Sequence, residues 1–214
     1  MSHMLKIKLL LIVLLGFAAI SFAAGGGKIV AADPTKHFDP KGKMPSEFTI
    51  ELQNGLRKSL PFEDKRDFEE AKKGFIAAPS YKQIMAEAGH VAWDMGSYEF
   101  LLTDKEYDTI HPSLQRQAVL NMAYGLYEVM PDKIYQIRGY DLANITFIKG
   151  EKGWIIFDPL TAKETAAAAL KFINEQLGER PVTAVVYSHS HADHFGGVRG
   201  VVEEADVRSG KVPV

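Results

Sequence analysis

The sequence has no cysteine in 214 residues. A disulfide scaffold, a thiolate-held zinc and a cysteine nucleophile are therefore excluded, and any metal must be held by His, Asp or Glu. It also lacks an excess of either charge, since 25 Lys+Arg against 27 Asp+Glu leave a formal net charge of −2. That balance gives no electrostatic reason to expect nucleic acid or an anionic membrane surface as partner. Internal repeats and low-complexity blocks are absent. What is present is 46% hydrophobic and 24% charged residues, a composition that supports one globular domain, or one and a half, with a real core.

One apolar run stands out, over residues 9–17 and on through Ala18, Ala19 and Ile20. Lys6 and Lys8 precede it, and Ser21 and Ala23 follow in a small-residue pattern. The run is marginal for a bilayer span, which needs about 20 apolar residues. The order of charge, apolar stretch and small residues matches a signal peptide over 1–23, cleaved after Ala23 or Ala24. An uncleaved anchor or a buried helix is the alternative. The expected product is periplasmic or secreted, without a stable membrane anchor, and the missing cysteines suit an oxidising compartment.

Residues 24–60 read as an extended arm, because 25–45 is rich in Gly, Pro, Lys and Asp without apolar periodicity. Residues 61–124 read as a helical extension. Its first helix opens at Pro61, carries Glu63, Asp64 and Asp67 early and Lys72 and Lys73 late, and stops at Gly74. Further helices are expected over 80–88, stopped by Gly89, and over 112–123.

From residue 125 the pattern turns to short β-rich runs, over 126–130, 134–138, 145–149 and 154–157. Pro131-Asp132 and Gly150-Glu151-Lys152-Gly153 mark the turns between them. Thr161 and Glu164 form a capping-box pattern before an Ala-rich helix that ends at Gly178, with Leu170, Ile173 and Leu177 as its buried stripe. Residues 182–187 form a continuous apolar, β-branched run, expected to be a fully buried strand. A helix and a short strand are expected in the last stretch.

Directly after that strand comes SHSHADHFGG, which places three of the seven histidines within six residues. A loop leaving the carboxyl end of a core strand is where open α/β sheets present ligands. His189 and His191, two apart, point the same way in an extended segment and can grip one cation. Asp193 and His194, past the turn, face a second site. Imidazole and carboxylate are donors that suit zinc. Gly196 and Gly197 let the backbone pass close to the metals. His37, His90 and His111 have no such company and read as structural. Asp158, ending a neighbouring strand, is either an acceptor for a ligand imidazole or a plain Asp-Pro turn. Asp94, Tyr98 and Asn144 either line the site or simply pack.

A strand ending in an H-x-H-x-D-H loop resembles the metallo-β-lactamase superfamily. The segments LPFEDKRDFEEAKKGFIAAP, WDMGSYEFL and GLYEVMPDKIYQIRGYDLANITFIKGEKGWIIFDPLTAKETAAAAL resemble bacterial alkyl sulfatases that degrade dodecyl sulfate and related detergents. The resemblance covers nearly all of the chain beyond the leader. It implies an α/β fold, namely the N-terminal half of an αββα sandwich (125–214) behind the helical extension. It also implies two zinc ions, one on His189 and His191 and one on Asp193 and His194. Asp193 would in addition orient the attacking water, so that an alkyl sulfate is hydrolysed to alcohol and sulfate. The family adds two downstream acidic ligands, a further His, an all-α dimerisation domain and a sterol-carrier-like domain. The 214 residues contain none of these. The expectation is therefore an N-terminal fragment of a homodimeric enzyme, weak in zinc binding and turnover by itself. Another metallo-β-lactamase-type hydrolase, or a non-catalytic exported metal-binding module, are the alternatives.

Overall fold

A computed structural model describes residues 44–214. The leader over 1–23 and His37 lie outside the described residues.

Ser46 accepts the amide of Thr49 and opens helix α1 (Glu47–Ser59), which carries Glu47 in its first turn and Arg57 and Lys58 in its last. The extended arm expected to reach residue 60 is thus helical from Glu47. The cap and the charge order favour the helix, and Arg57 fastens it to Glu106, Asp108 and the Tyr107 carbonyl.

The helix expected from Pro61 to Gly74 contracts to α2 (Arg66–Glu70). The Arg116 guanidinium takes the Phe62 and Asp64 carbonyls and the Asp67 carboxylate, which holds the segment in turns. Strand β1 (Phe75–Ala77) follows, so the extension is not purely helical and contributes an edge of the main sheet.

Residues 80–88 are not a helix. They form β2 (Gln83–Met85) and a turn into β3 (Val91–Asp94), with Ile84 opposite Trp93. Burial of Ile84 and the bond from the Trp93 indole to the Gly139 carbonyl outweigh local helix propensity. Gly89, at φ 85°, serves the hairpin turn. A 3₁₀ turn (Glu99–Leu102) and α3 (Pro112–Asn121) complete the N-terminal part.

The β-rich runs fold as β4 (Gly125–Met130), β5 (Ile134–Arg138), β6 (Ile145–Lys149) and β7 (Trp154–Phe157). After α4 (Lys163–Leu177) comes β8 (Val182–Val186), which pairs parallel to β7. The sheet order is β1-β4-β5-β6-β7-β8, and every pair but the last is antiparallel. Inner positions alternate along β5, β6 and β7, and Ile137, Ile145, Phe147, Trp154 and Ile156 are buried in one core with α4. Trp154 stands between Tyr135 and Phe147 edge to face, and its indole donates to Asn174 at 2.8 Å.

Four expectations for this half change. The capping box does not form: α4 starts after Ala162 without a side-chain cap, and the Thr161 hydroxyl turns to Asp141 instead. The buried face of α4 is Thr165, Ala166, Ala169, Phe172 and Ile173, while Leu170 and Leu177 are only partly covered. Strand β8 buries Val185 alone, because it lies at the sheet edge and one side has no strand among the described residues. The final stretch forms a 3₁₀ turn (Val198–Gly200) and α6 (Glu204–Arg208), with no strand. Among the described residues no helix is long and apolar enough to cross a membrane.

Candidate metal centre

Strands β7 and β8 run side by side and end together, since the Asp158 amide continues the ladder by donating to the Val186 carbonyl at 3.0 Å. Beyond Val186 the chain becomes the histidine loop, and α5 (Ala192–Phe195) closes it, with His191 at its N-cap. The short helix folds the loop back, so residues separated by five positions meet. The His189 ring lies 4.6 Å from that of His191 and 4.1 Å from that of His194, centroid to centroid. Asp193 Oδ2 is 3.4 Å from His194 Nε2. The four side chains singled out by the motif therefore share one place.

Asp158 organises them. Its Oδ1 accepts the Ser188 amide at 2.7 Å, and its Oδ2 accepts the Ser188 hydroxyl at 2.6 Å and His194 Nδ1 at 2.8 Å. Of the two readings for this residue, the acceptor for an imidazole is the one observed. Because Ser188 gives its hydrogen to Asp158, its oxygen receives His189 Nδ1 at 2.8 Å. With Nδ1 of both rings engaged in these bonds, Nε2 is the ring nitrogen left to each for a cation. Burial pushes the Asp158 carboxyl up, but the bonds from Ser188 and His194 outweigh it and keep the group below the usual carboxylate range. The backbone at Asp158 is left-handed, φ 55°, and at Leu160 it is left-handed again, φ 62°. Two such residues flanking Pro159 form a strained turn that aims the carboxylate back across the strand ends.

The donor chemistry suits a divalent cation. Among the described residues no group of three or more His, Asp or Glu side chains is set to hold an ion as it stands.

Gly196 and Gly197 lie against residues 159–162. A Cβ on Gly197 would lie 2.6 Å from the Ala162 carbonyl oxygen and would collide with that of Pro159, and one on Gly196 would collide with Thr161. The pair lets the loop lie backbone to backbone on residues 159–162.

The other candidates separate. His111 caps α3 by accepting the Ser113 amide on Nδ1, and His90 is exposed in the β2–β3 turn. Asp94 belongs to the hairpin, where Gln83 and the Gly96 amide bind it and hold its carboxyl below the usual range. Tyr98 is exposed beside Phe100, and Asn144 is exposed ahead of β6. Two residues escaped the sequence reading. Ser188 stood inside the quoted motif and carried a signal in its adjacency to His189. Asp141 had none, because most of its partners lie 20 or more positions away.

Residues 138–214 match the metallo-β-lactamase superfamily. The chain is 51% identical to an (R)-specific secondary-alkylsulfatase of Pseudomonas sp over 172 residues, which is 80% of this chain and 26% of the relative. It is 47% identical to a linear primary-alkylsulfatase of Pseudomonas sp over 173 residues, again 80% of this chain and 26% of the relative. Among solved structures, a stereoselective inverting sec-alkylsulfatase from Pseudomonas sp. superposes with a TM-score of 0.75 at 51% identity, covering 79% of this chain and 26% of that one. The chain thus spans about a quarter of the length of the relatives it matches. Over the matched quarter the chain is similar to alkylsulfatases and shares their mixed α/β fold, and its histidine loop lies within the part that matches the metallo-β-lactamase superfamily.

Proposed function

We propose that this chain supplies the H-x-H-x-D-H half of a zinc-dependent hydrolase of alkyl sulfate esters. The observation that carries the reading is the convergence of the His189, His191 and His194 rings at the paired strand ends, with Asp158 holding His194 and, through Ser188, His189. The names of the relatives support the ester class.

His189 and His191 would hold one ion, and Asp193 and His194 a second, with further ligands from outside this chain. Bound divalent cations supply water of lowered pKa and withdraw charge from sulfate oxygens. The chain's own residues prepare that chemistry. Asp158 and Ser188 hold two imidazoles through Nδ1, which removes the cost of reorienting them. Asp193, on the first turn of α5, would both ligate and accept a hydrogen bond from the attacking water. The overall change is ROSO3⁻ plus water to ROH and hydrogen sulfate, which loses its proton at neutral pH. The charge, apolar run and small residues over 1–23 support export to the periplasm or medium.

The test is release of sulfate and dodecanol from dodecyl sulfate by the intact protein, with nitrocefin and a thioester as comparison substrates. Sulfate release that disappears on exhaustive chelation and returns with zinc supports the reading. Undiminished release after chelation, or hydrolysis of nitrocefin or the thioester in its place, overturns it.

A further inference from the structure

Asp141 is the one acidic residue buried among the described residues, at 7% exposure. Burying a carboxylate is costly unless its lone pairs are filled. Here they are: Oδ1 accepts the Leu142 amide at 2.7 Å and the Thr161 hydroxyl at 2.7 Å, while Oδ2 accepts the Thr161 and Ala162 amides at 3.2 Å each and the Thr165 hydroxyl at 2.6 Å. Three of these bonds are charge-assisted ties to the two residues that precede α4. They stand in for the missing side-chain cap, and they bind the β5–β6 connection to the turn that follows β7.

That turn is also the floor of the histidine loop. Gly197 donates to the Leu160 carbonyl at 2.9 Å. Gly196 presses on the Thr161 carbonyl, Gly197 on those of Pro159 and Ala162, and Gly200 on that of Lys163, all too closely for a Cβ. At the near end of the same stretch, Asp158 holds Ser188 and His194. The loop's hydrogen bonds to Asp158 and Leu160 and the nearest approach at each of these glycines thus fall on residues 158–163, and Asp141 grips the middle of that stretch.

We infer that Asp141 is a positioning residue for the histidine loop: through Thr161 and Ala162 it sets the height of the floor on which Gly196 and Gly197 rest, and so the separation of the imidazoles. The inference rests on the reading of that loop as a metal site.

The test compares Asp141→Asn, Thr161→Val, His191→Ala and Ile137→Val in the intact protein, each kept well below its melting temperature. Three quantities are read: zinc affinity by competition with a chromophoric chelator, the visible spectrum of the cobalt-loaded protein, and the His194 Nδ1–H proton resonance without metal. Asp141→Asn puts an NH2 group against amides and should weaken zinc about tenfold, the lower end for partners that orient ligands. It should also shift the cobalt bands and the His194 resonance. Thr161→Val removes one bond, keeps the carboxylate, and should weaken zinc a few-fold, because only part of the worth of one hydrogen bond is transmitted to the loop. Ile137→Val lowers stability in the same core and should move none of the three. His191→Ala should abolish tight binding. Wild-type affinity, spectrum and resonance in both Asp141→Asn and Thr161→Val overturn the inference, and matching shifts in Ile137→Val do the same by showing a general loosening. If His191→Ala also binds zinc like the parent, the metal-site reading itself falls, and this inference with it.

Discussion

Asp132 and Asp158 adopt the same left-handed backbone, at φ 53° and 55°, and each sits beside a proline, yet their surroundings differ. Asp132 turns the β4–β5 hairpin in solvent, with a side chain 83% exposed and paired to Lys149. Asp158 ends β7 with a side chain 16% exposed and filled by Ser188 and His194. Both carboxyls lie below their ordinary range, one through a surface lysine, the other despite burial. The contrast teaches that a strained aspartate is only a turn device until long-range partners give its carboxylate an object. Those partners here come from 30 and 36 residues away.

Several substitutions would sharpen or break that contrast. The largest effect should come from Gly197→Ala, whose Cβ meets the Pro159 and Ala162 carbonyls. Backbone must shift, and we expect about 3 kcal/mol of lost stability in a denaturant titration together with weakened zinc binding. Next, Asp158→Asn should lower zinc affinity by about tenfold to a hundredfold, read by chelator competition, with far-ultraviolet dichroism unchanged. Ser188→Ala removes the hydroxyl link to His189 but leaves the amide bond to Asp158. It should cost about 1 kcal/mol of zinc binding free energy. The smallest effect belongs to Asp132→Asn, which should leave zinc affinity unaltered. Lys149 lowers the Asp132 carboxyl, so that stabilisation is present at neutral pH and is lost as the pH falls through the carboxylate range. The variant should therefore flatten a small acid limb of the thermal stability profile and nothing else. A loss of zinc binding in Asp132→Asn as large as in Asp158→Asn would erase the distinction between the two turns.

The sheet half of the fold was legible because its signals are local. Alternation over 134–138 and 145–149, a Gly-bounded loop at 150–153 and Pro131-Asp132 specify hairpins whose partners are adjacent in sequence, and β5, β6 and β7 appear at the expected bounds. The N-terminal part was less legible. Residues 80–88 carry a helix-like composition with a Gly stop, but Ile84 gains more by burial in the core than the backbone gains from a short isolated helix. The α1 helix was hidden by the Gly- and Pro-rich stretch before it, although Ser46 and the charge order marked its start. At the site, the four donors were legible as a motif, and the Asp158 acceptor as one of two options. Asp141 was not, because a carboxylate that caps a helix 20 residues downstream leaves no periodicity to read.

By itself the sequence determined that any metal here must sit on histidine and carboxylate, that the donors cluster after a β-branched strand, and that short hairpins precede them. These follow from residue chemistry and from periods of two along the chain. Only the tertiary structure decided which aspartate holds which imidazole, that β8 lies at an edge, and that the two glycines rest on residues 159–162. Those outcomes depend on contacts between segments that only packing brings together, and no local pattern encodes a partner 30 residues away.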